Sequence, residues 1–201
     1  MAQIEKTEKP SDGRRARGEE SRRRIVEAML SQIGEGNLSP SAEEVAAQAN
    51  VGLRTVFRHF DDMDSLYREI SEVMATELMP IAAAPLPKGD WRELVAELVD
   101  RRARVFEKMM PFKIAADVHR HRSEFLRDEH ARLGTMQRKI LRDVFSLKEC
   151  PAGPTFEALD LLMSFDSWRR LRLDQGLSVA QAKKTMLRAS SALFESAGTA
   201  A

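Results

Sequence analysis

The most constraining feature of this chain is a junction. "SAEEVAAQ" (41–48) carries one short helical pattern and "VGLRTVFRHF" (51–60) carries another. The first ends at Ala49 or Asn50 and the second starts at Gly52, too tight for an ordinary loop. Ser41 is placed as an N-cap and Glu44, three residues on, completes a capping box. Val45, Ala46 and Ala49 face inward, and Asn50 is a residue type that tolerates the left-handed conformation such a turn demands. On the second helix Val56, Phe57 and Phe60 are expected inside, leaving Leu53, Arg54, Thr55, Arg58 and His59 outside. Before this pair, Ile25, Met29 and Ile33 form an apolar stripe on a helix that opens at Ser21 and ends at Gly34 or Gly36. After it, Asp61 or Asp62 caps a helix running through Leu66, Ile70, Val73 and Met74 towards Pro80.

Two helices in a tight turn on a preceding helix make a helix-turn-helix, whose second helix enters a DNA major groove. An arginine spans the O6 and N7 acceptors of guanine, and a threonine offers a hydroxyl to phosphate or a methyl to thymine. A surface helix that merely carries arginines would look the same, so the reading from these residues alone stays open.

The rest of the chain reads as helices too. No useful strand alternation, internal repeat or glycine-rich phosphate loop is present, which makes an all-α protein of about nine helices. Residues 1–20 are expected to be a flexible basic arm, 21–69 the DNA-binding unit, 70–89 the continuation of helix 4 and a linker, and 90–197 a helical bundle. Proline and glycine in "PIAAAPLPKGD" mark the boundary. Helices are expected over 90–109, 111–147 with a break at Gly134, 155–175, and from the Ser178/Gln181 capping box to about Ser196; Pro111 is expected in a first turn. No apolar run is long enough to span a bilayer and the start is polar, so a cytoplasmic protein without a membrane anchor is expected. Cys150 is the single cysteine, beside Pro151, and reads as a plain loop residue that excludes an internal disulfide.

Over 155–175 apolar residues point in nearly all directions, and such a helix needs cover on every side. A second subunit is one cover, with Phe156, Leu161, Phe165, Trp168, Met186, Leu193 and Phe194 at the interface; burial inside one subunit is the other. Trp91, Phe106, Met110, Phe112, Phe125, Met136 and Phe165 supply the soft, aromatic lining that pockets between bundle helices use, although a Met/Phe stripe is more often plain core. Asp166 either anchors a ligand or pairs with Arg169 or Arg170. His119 and His121 face apart on a helix, His130 has no companion ligands, and "RRAR" (101–104) reads as a solvated face. Neither a metal site, a cofactor nor a catalytic constellation is expected, and hence no enzyme.

Residues 21–70 resemble the DNA-binding domain of the TetR family of bacterial transcriptional regulators. The family pattern has an apolar helix 1, a Ser/Thr opening helix 2, then "IA..AGVS.GTLY.HF" and "SKE.L". The matching text is Ser41, "VAAQANVGLRTVFRHF" and "DDMDSL". The resemblance implies a homodimer joined through its last two helices, bound to a palindromic double-stranded operator, acting as a repressor and released by a small hydrophobic effector in the C-terminal domain. Ser41, Leu53, Arg54, Thr55, Arg58 and His59, with Arg22 and Arg23 at the start of helix 1, are the implied DNA contacts. Phe57 replaces the usual tyrosine and Met63 the usual lysine, removing two phosphate-binding groups, while Gly52 and Arg54 replace serine and glycine. Residues 1–79 hold eleven Lys/Arg against fifteen Asp/Glu, the reverse of most DNA-binding modules. A helical interaction protein whose degenerate helix-turn-helix no longer binds DNA therefore remains the alternative.

Overall fold

The computed structural model describes residues 11–145 and 153–198; arm residues 1–10 and Cys150 with most of its loop lie outside the described residues. The elements are α1 (Ser11–Gly34), α2 (Ala42–Gln48), α3 (Leu53–His59), α4 (Met63–Ala82), α5 (Trp91–His119), α6 (Glu124–Phe145), α7 (Pro154–Leu162), α8 (Phe165–Arg169), a π-helical segment Arg170–Asp174, and α9 (Val179–Gly198). No strand occurs among the described residues.

Several helix ends differ from those expected. α1 begins at Ser11, so residues 11–20 are helix rather than arm. Ion pairs one turn apart run along this stretch: Arg15 to Glu19 at 3.0 Å, and Arg23 to Glu20 at 2.8 Å and Glu27 at 2.9 Å. α5 passes through Pro111 and α6 through Gly134 without ending. Pro111 therefore sits in a helix interior, where its missing N–H deprives the Glu107 carbonyl of its usual helix partner. The real break falls at 120–123, where Ser123 Oγ accepts from Leu126 N at 3.1 Å and starts α6. The single helix expected over 155–175 is interrupted after Leu162, because Ser164 turns its hydroxyl to Ser167 N at 3.1 Å and caps a new helix, α8. The Ser178/Gln181 box opens α9 as expected, with bonds of 2.9 and 3.3 Å.

Two hydrophobic cores form. One gathers Ile25, Met29 and Ile33 of α1, Val45, Ala46 and Ala49, Val56 and Phe60, and Leu66, Tyr67 and Ile70 of α4. The other gathers Leu98, Phe106, Phe145, Leu159, Trp168 and Met186 with their neighbours from α5 to α9. α4 and α5 belong to both, since Leu78 lies in the second core and Ala115 in the first. α4 and α5 are therefore packed into both cores at once.

The expected interface residues mostly belong to the second core. Phe156, Phe165, Trp168, Met186 and Phe194 are buried within the single chain, Trp168 completely. Trp168 Nε1 donates to Glu107 at 2.8 Å, and Arg172 binds the same carboxylate. All five pack into the second core of their own subunit. Leu161, at 67% exposure, and half-buried Leu193 are left facing outward.

Candidate nucleic-acid interface and inner cavity

The α2–α3 turn is built as its residues require. Asn50 takes φ +52°, while Val51 N bonds to Ala46 O at 3.0 Å and Asn50 N to Ala47 O at 3.1 Å. This double bond is the Schellman ending of α2, and it aims the chain straight into α3. Ser41 caps α2 reciprocally with Glu44 and stays exposed.

On α3, Val56 and the following Phe60 are buried at 2% exposure each. Phe57 is not: it stands 48% exposed, contrary to the expectation that it packs inside. The physical reason is spacing, since Phe57 follows buried Val56 by one residue and is turned about 100° from it on a helix. The outward surface is therefore Leu53, Arg54, Phe57 and Arg58, with Thr55 and His59 half-buried. Neither Arg54 nor Arg58 has an ion-pair or hydrogen-bond partner among the described residues.

The other arginines of this region are occupied. Arg22 binds Glu69 with two nitrogens and His59 O with a third, and its guanidinium lies 4.5 Å from the Phe60 ring centroid. A direct DNA contact was expected of Arg22; three of its N–H donors are instead consumed inside the protein, bracing α3 against α1 and α4. Arg23 is paired with Glu20 and Glu27 on an exposed face. Arg24 donates to Asn50 O at 3.3 Å, stitching α1 to the turn. His59 lies under α1, where a Cβ added at Gly18 would come 4.0 Å from its Cε1. Burial, then the nearby Arg58 and Arg22 cations, hold the His59 ring below its ordinary pKa.

A cavity of about 380 Å³ lies between α4, α5 and α6, closed at one end by Ile33 of α1. Of the residues expected to line a pocket, Phe106, Phe112 and Met136 do so. The others are used elsewhere. Trp91 stacks on Phe194 at 4.9 Å, Phe165 packs edge-on against Phe106, Met110 is core, and Phe125 lies beneath the Arg68 guanidinium. Asp166 is exposed in the first turn of α8.

The polar lining was not anticipated. Arg101 and Arg102, read as part of a solvated face, are 5% and 7% exposed. Their signal was in the spacing: Arg102 falls midway between Leu98 and Phe106, four residues from each, on the buried stripe of α5. Arg101 is fully engaged, with Glu97 and the carbonyls of Ala82, Ala84 and Pro85. It thereby ties the end of α4 to α5. At the far end, Lys113 Nζ and Arg120 Nη1 each lie 2.6 Å from His130 Nδ1, and Asp117 accepts from Lys113 at 2.8 Å. Burial and these cations push the His130 pKa down, so its ring accepts there as the neutral form. Tyr67, the single tyrosine, lines the cavity too; its hydroxyl is buried with no partner among the described residues, and burial lifts its pKa to about 12.

No group of three or more metal-ligating side chains converges among the described residues, and no helix there is long and apolar enough to cross a membrane. No family model matches the sequence, and no curated protein matches it. Solved structures do match. A Rhodococcus sp. protein assigned to the TetR-family transcriptional regulators superposes with TM-score 0.66 at 16% identity, over 87% of this chain and 99% of that one. The multidrug binding protein EbrR, complexed with imidazole, gives TM-score 0.58 at 20% identity, over 84% and 88%. A Mesorhizobium loti protein, also assigned to the TetR-family regulators, gives 0.55 at 16% identity, over 90% and 96%. At these identities the likeness is one of fold.

Proposed function

From the premise that this chain has the fold of the TetR-family transcriptional regulators, we propose that it is a DNA-binding transcriptional regulator of the cytoplasm. It binds a palindromic operator as a homodimer, represses, and is released when a small effector fills the cavity between α4, α5 and α6. Residues 21–69 read the DNA and residues 90–197 bind the effector and the partner subunit.

The observation that carries the reading is the contrast on α3. Arg54 and Arg58 project unpaired beside exposed Leu53 and Phe57, while Arg22, Arg23 and Arg24 are tied down. A helix with its apolar side locked and two free guanidinium groups outside suits guanine edges and thymine methyls in a major groove. One such helix reads few base pairs, so two copies about 34 Å apart are needed. Leu161, Leu173 and Val179, exposed on α7, on the π-helical segment and on α9, supply apolar surface for that pairing. The cavity gives an effector access to α4, the helix that also carries Glu69 and so holds Arg22 and α3.

Selection of bound sequences from random duplexes tests this directly. The expected result is an enriched palindrome; no enrichment, or a single unrepeated half-site, contradicts it. The acidic balance of residues 1–79 favours one other reading, a helical interaction module that no longer binds DNA. If about five phosphates are neutralised, log K falls with log salt at a slope of about −4 to −5. An interaction module shows no DNA shift at any salt.

A further inference from the structure

The cavity wall on α5 runs from Leu98 to Asp117, about 28 Å of helix at 1.5 Å per residue, so the space is elongated. Its lining is aliphatic, methionine and phenylalanine for most of that length, with charged groups at intervals. The charges do not cancel. Arg101 is neutralised by Glu97 at 3.0 Å, Lys113 by Asp117 at 2.8 Å and Arg132 by Glu129 at 2.6 Å. Arg102 alone among the lining cations has no carboxylate within ion-pair distance among the described residues.

Arg102 is buried between α5, α6 and α7. Its Nη1 donates to Met163 O and its Nη2 to Gln137 O at 2.8 Å. Two carbonyl dipoles satisfy two of its five N–H donors, but no carboxylate pairs with it among the described residues, and an unpaired buried charge is costly. The nearby carboxylate, Asp160, is committed to Arg138 at 2.8 Å. Burial lowers the Arg102 pKa to about 10, which still leaves it protonated at neutral pH. A planar guanidinium with spare donors matches a carboxylate in geometry as well as in sign.

We infer that the effector is an elongated apolar molecule carrying a single carboxylate, which Arg102 binds while the hydrocarbon body lies along α5 towards Phe112 and Tyr67. The inference rests on the effector-responsive reading proposed above and names the chemical class that this cavity selects. Arg102 is the specificity-determining residue. A cationic molecule of the same length meets an unneutralised guanidinium and is excluded.

Three twelve-carbon probes that differ only in head group test this on the full-length protein, each below its micelle concentration: dodecanoate, dodecanol and dodecyltrimethylammonium. Calorimetry gives affinity, and fluorescence anisotropy of a selected operator duplex gives release. Dodecanoate is expected to bind about tenfold or more tighter than dodecanol, the increment of one charge-assisted contact, with the ammonium weakest. R102Q brings dodecanoate down to the level of dodecanol, and R102K retains part of the preference. If R102Q fails to fold by circular dichroism, the head-group ranking of the unaltered protein and of R102K decides. Equal or tighter binding of the alcohol or the ammonium overturns the inference, as does unchanged dodecanoate affinity in folded R102Q, or no binding by any probe. Release of DNA by the ammonium leaves the regulatory reading standing and defeats only the carboxylate. Tight, Arg102-dependent dodecanoate binding with no effect on a bound duplex supports the carboxylate and defeats the regulatory reading.

Discussion

Arg22 of α1 holds Glu69 of α4 at two points, Nε to Oε1 at 3.2 Å and Nη2 to Oε2 at 2.6 Å, while its Nη1 donates to His59 O at 2.9 Å. One guanidinium thus joins the helix that lines the cavity to the end of the helix that faces outward. α3 has seven residues and no side-chain cap at its N-terminus, so this bond to a carbonyl of its last turn matters to its seating. The pair is 40% and 29% exposed in its side chains, so solvent screening limits its worth to about 1 kcal/mol of global stability. The larger effect is expected on DNA. R22Q and E69Q should each weaken operator binding with little change in the salt slope, because a brace and not a phosphate contact is lost. A slope that falls by about 1 in R22Q would make Arg22 a phosphate ligand after all.

Arg54 and Arg58 should behave differently. R54A and R58A are each expected to cost about 1–3 kcal/mol in binding to the selected site, with relaxed preference at one base pair. Their melting temperatures should match the unaltered protein, since both side chains are exposed and neither has an ion-pair or hydrogen-bond partner among the described residues. F57A belongs in the same series. At 48% exposure Phe57 contributes little to the core, so its removal should leave stability within about 0.5 kcal/mol while reducing affinity for sites with thymine at the contacted position. A melting point depressed by several degrees in F57A would place it in the core instead.

The helix-turn-helix was legible because its signals are local. Ser41 with Glu44, the left-handed Asn50, and the inward Val45, Ala46 and Val56 each act within a few residues, and each is found as expected. Phe57 lies outside because helical phase, set by buried Val56, outweighs hydrophobic type. The C-terminal domain was harder, since its decisive facts are non-local. Trp168 needs Glu107, sixty-one residues away, to satisfy its indole N–H, and Arg102 needs the carbonyls of Gln137 and Met163. Apolar content over 155–175 could not distinguish a partner subunit from α5 and α9 of the same chain. The helix break at Ser164 was readable in principle, as a serine followed three residues on by Ser167.

Stability should decline in mild acid for a stated reason. Burial and neighbouring cations lower the pKa of both His59 and His130 from the ordinary 6.5: Arg58 and Arg22 act on the first, and Lys113 and Arg120 on the second, where Asp117 and Asp166 oppose them. The folded state therefore keeps both rings neutral at pH values where the unfolded chain already protonates them. As pH falls through about 7.5 the unfolded chain binds more protons than the folded one, so stability falls with falling pH until the folded rings titrate as well; well above that range these two histidines add no slope. Thermal melts at pH 8, 6.5 and 5.5 should show a small loss in the first interval and the larger loss in the last. The H59Q/H130Q double variant should be the flatter of the two proteins there. An identical decline in both would assign the acid sensitivity to other groups.

Two substitutions, W168A and L161R, separate the core from the proposed subunit interface. Trp168 is fully buried in the second core, with its N–H on Glu107 of α5, so W168A opens a cavity and strands a carboxylate contact. It should cost about 3–5 kcal/mol whatever the protein concentration. Leu161 is 67% exposed on α7, a helix that packs against α9. L161R should leave the fold of each subunit intact yet bury a charge if two copies meet there. Sedimentation should then report a dimer for the unaltered protein and a monomer for L161R. Operator affinity in L161R should fall with the loss of the second recognition helix, whereas W168A should lose DNA binding only in proportion to its unfolded fraction. A dimer that survives L161R would move the contact away from this face of α7 and towards Leu173 and Val179, which are exposed as well.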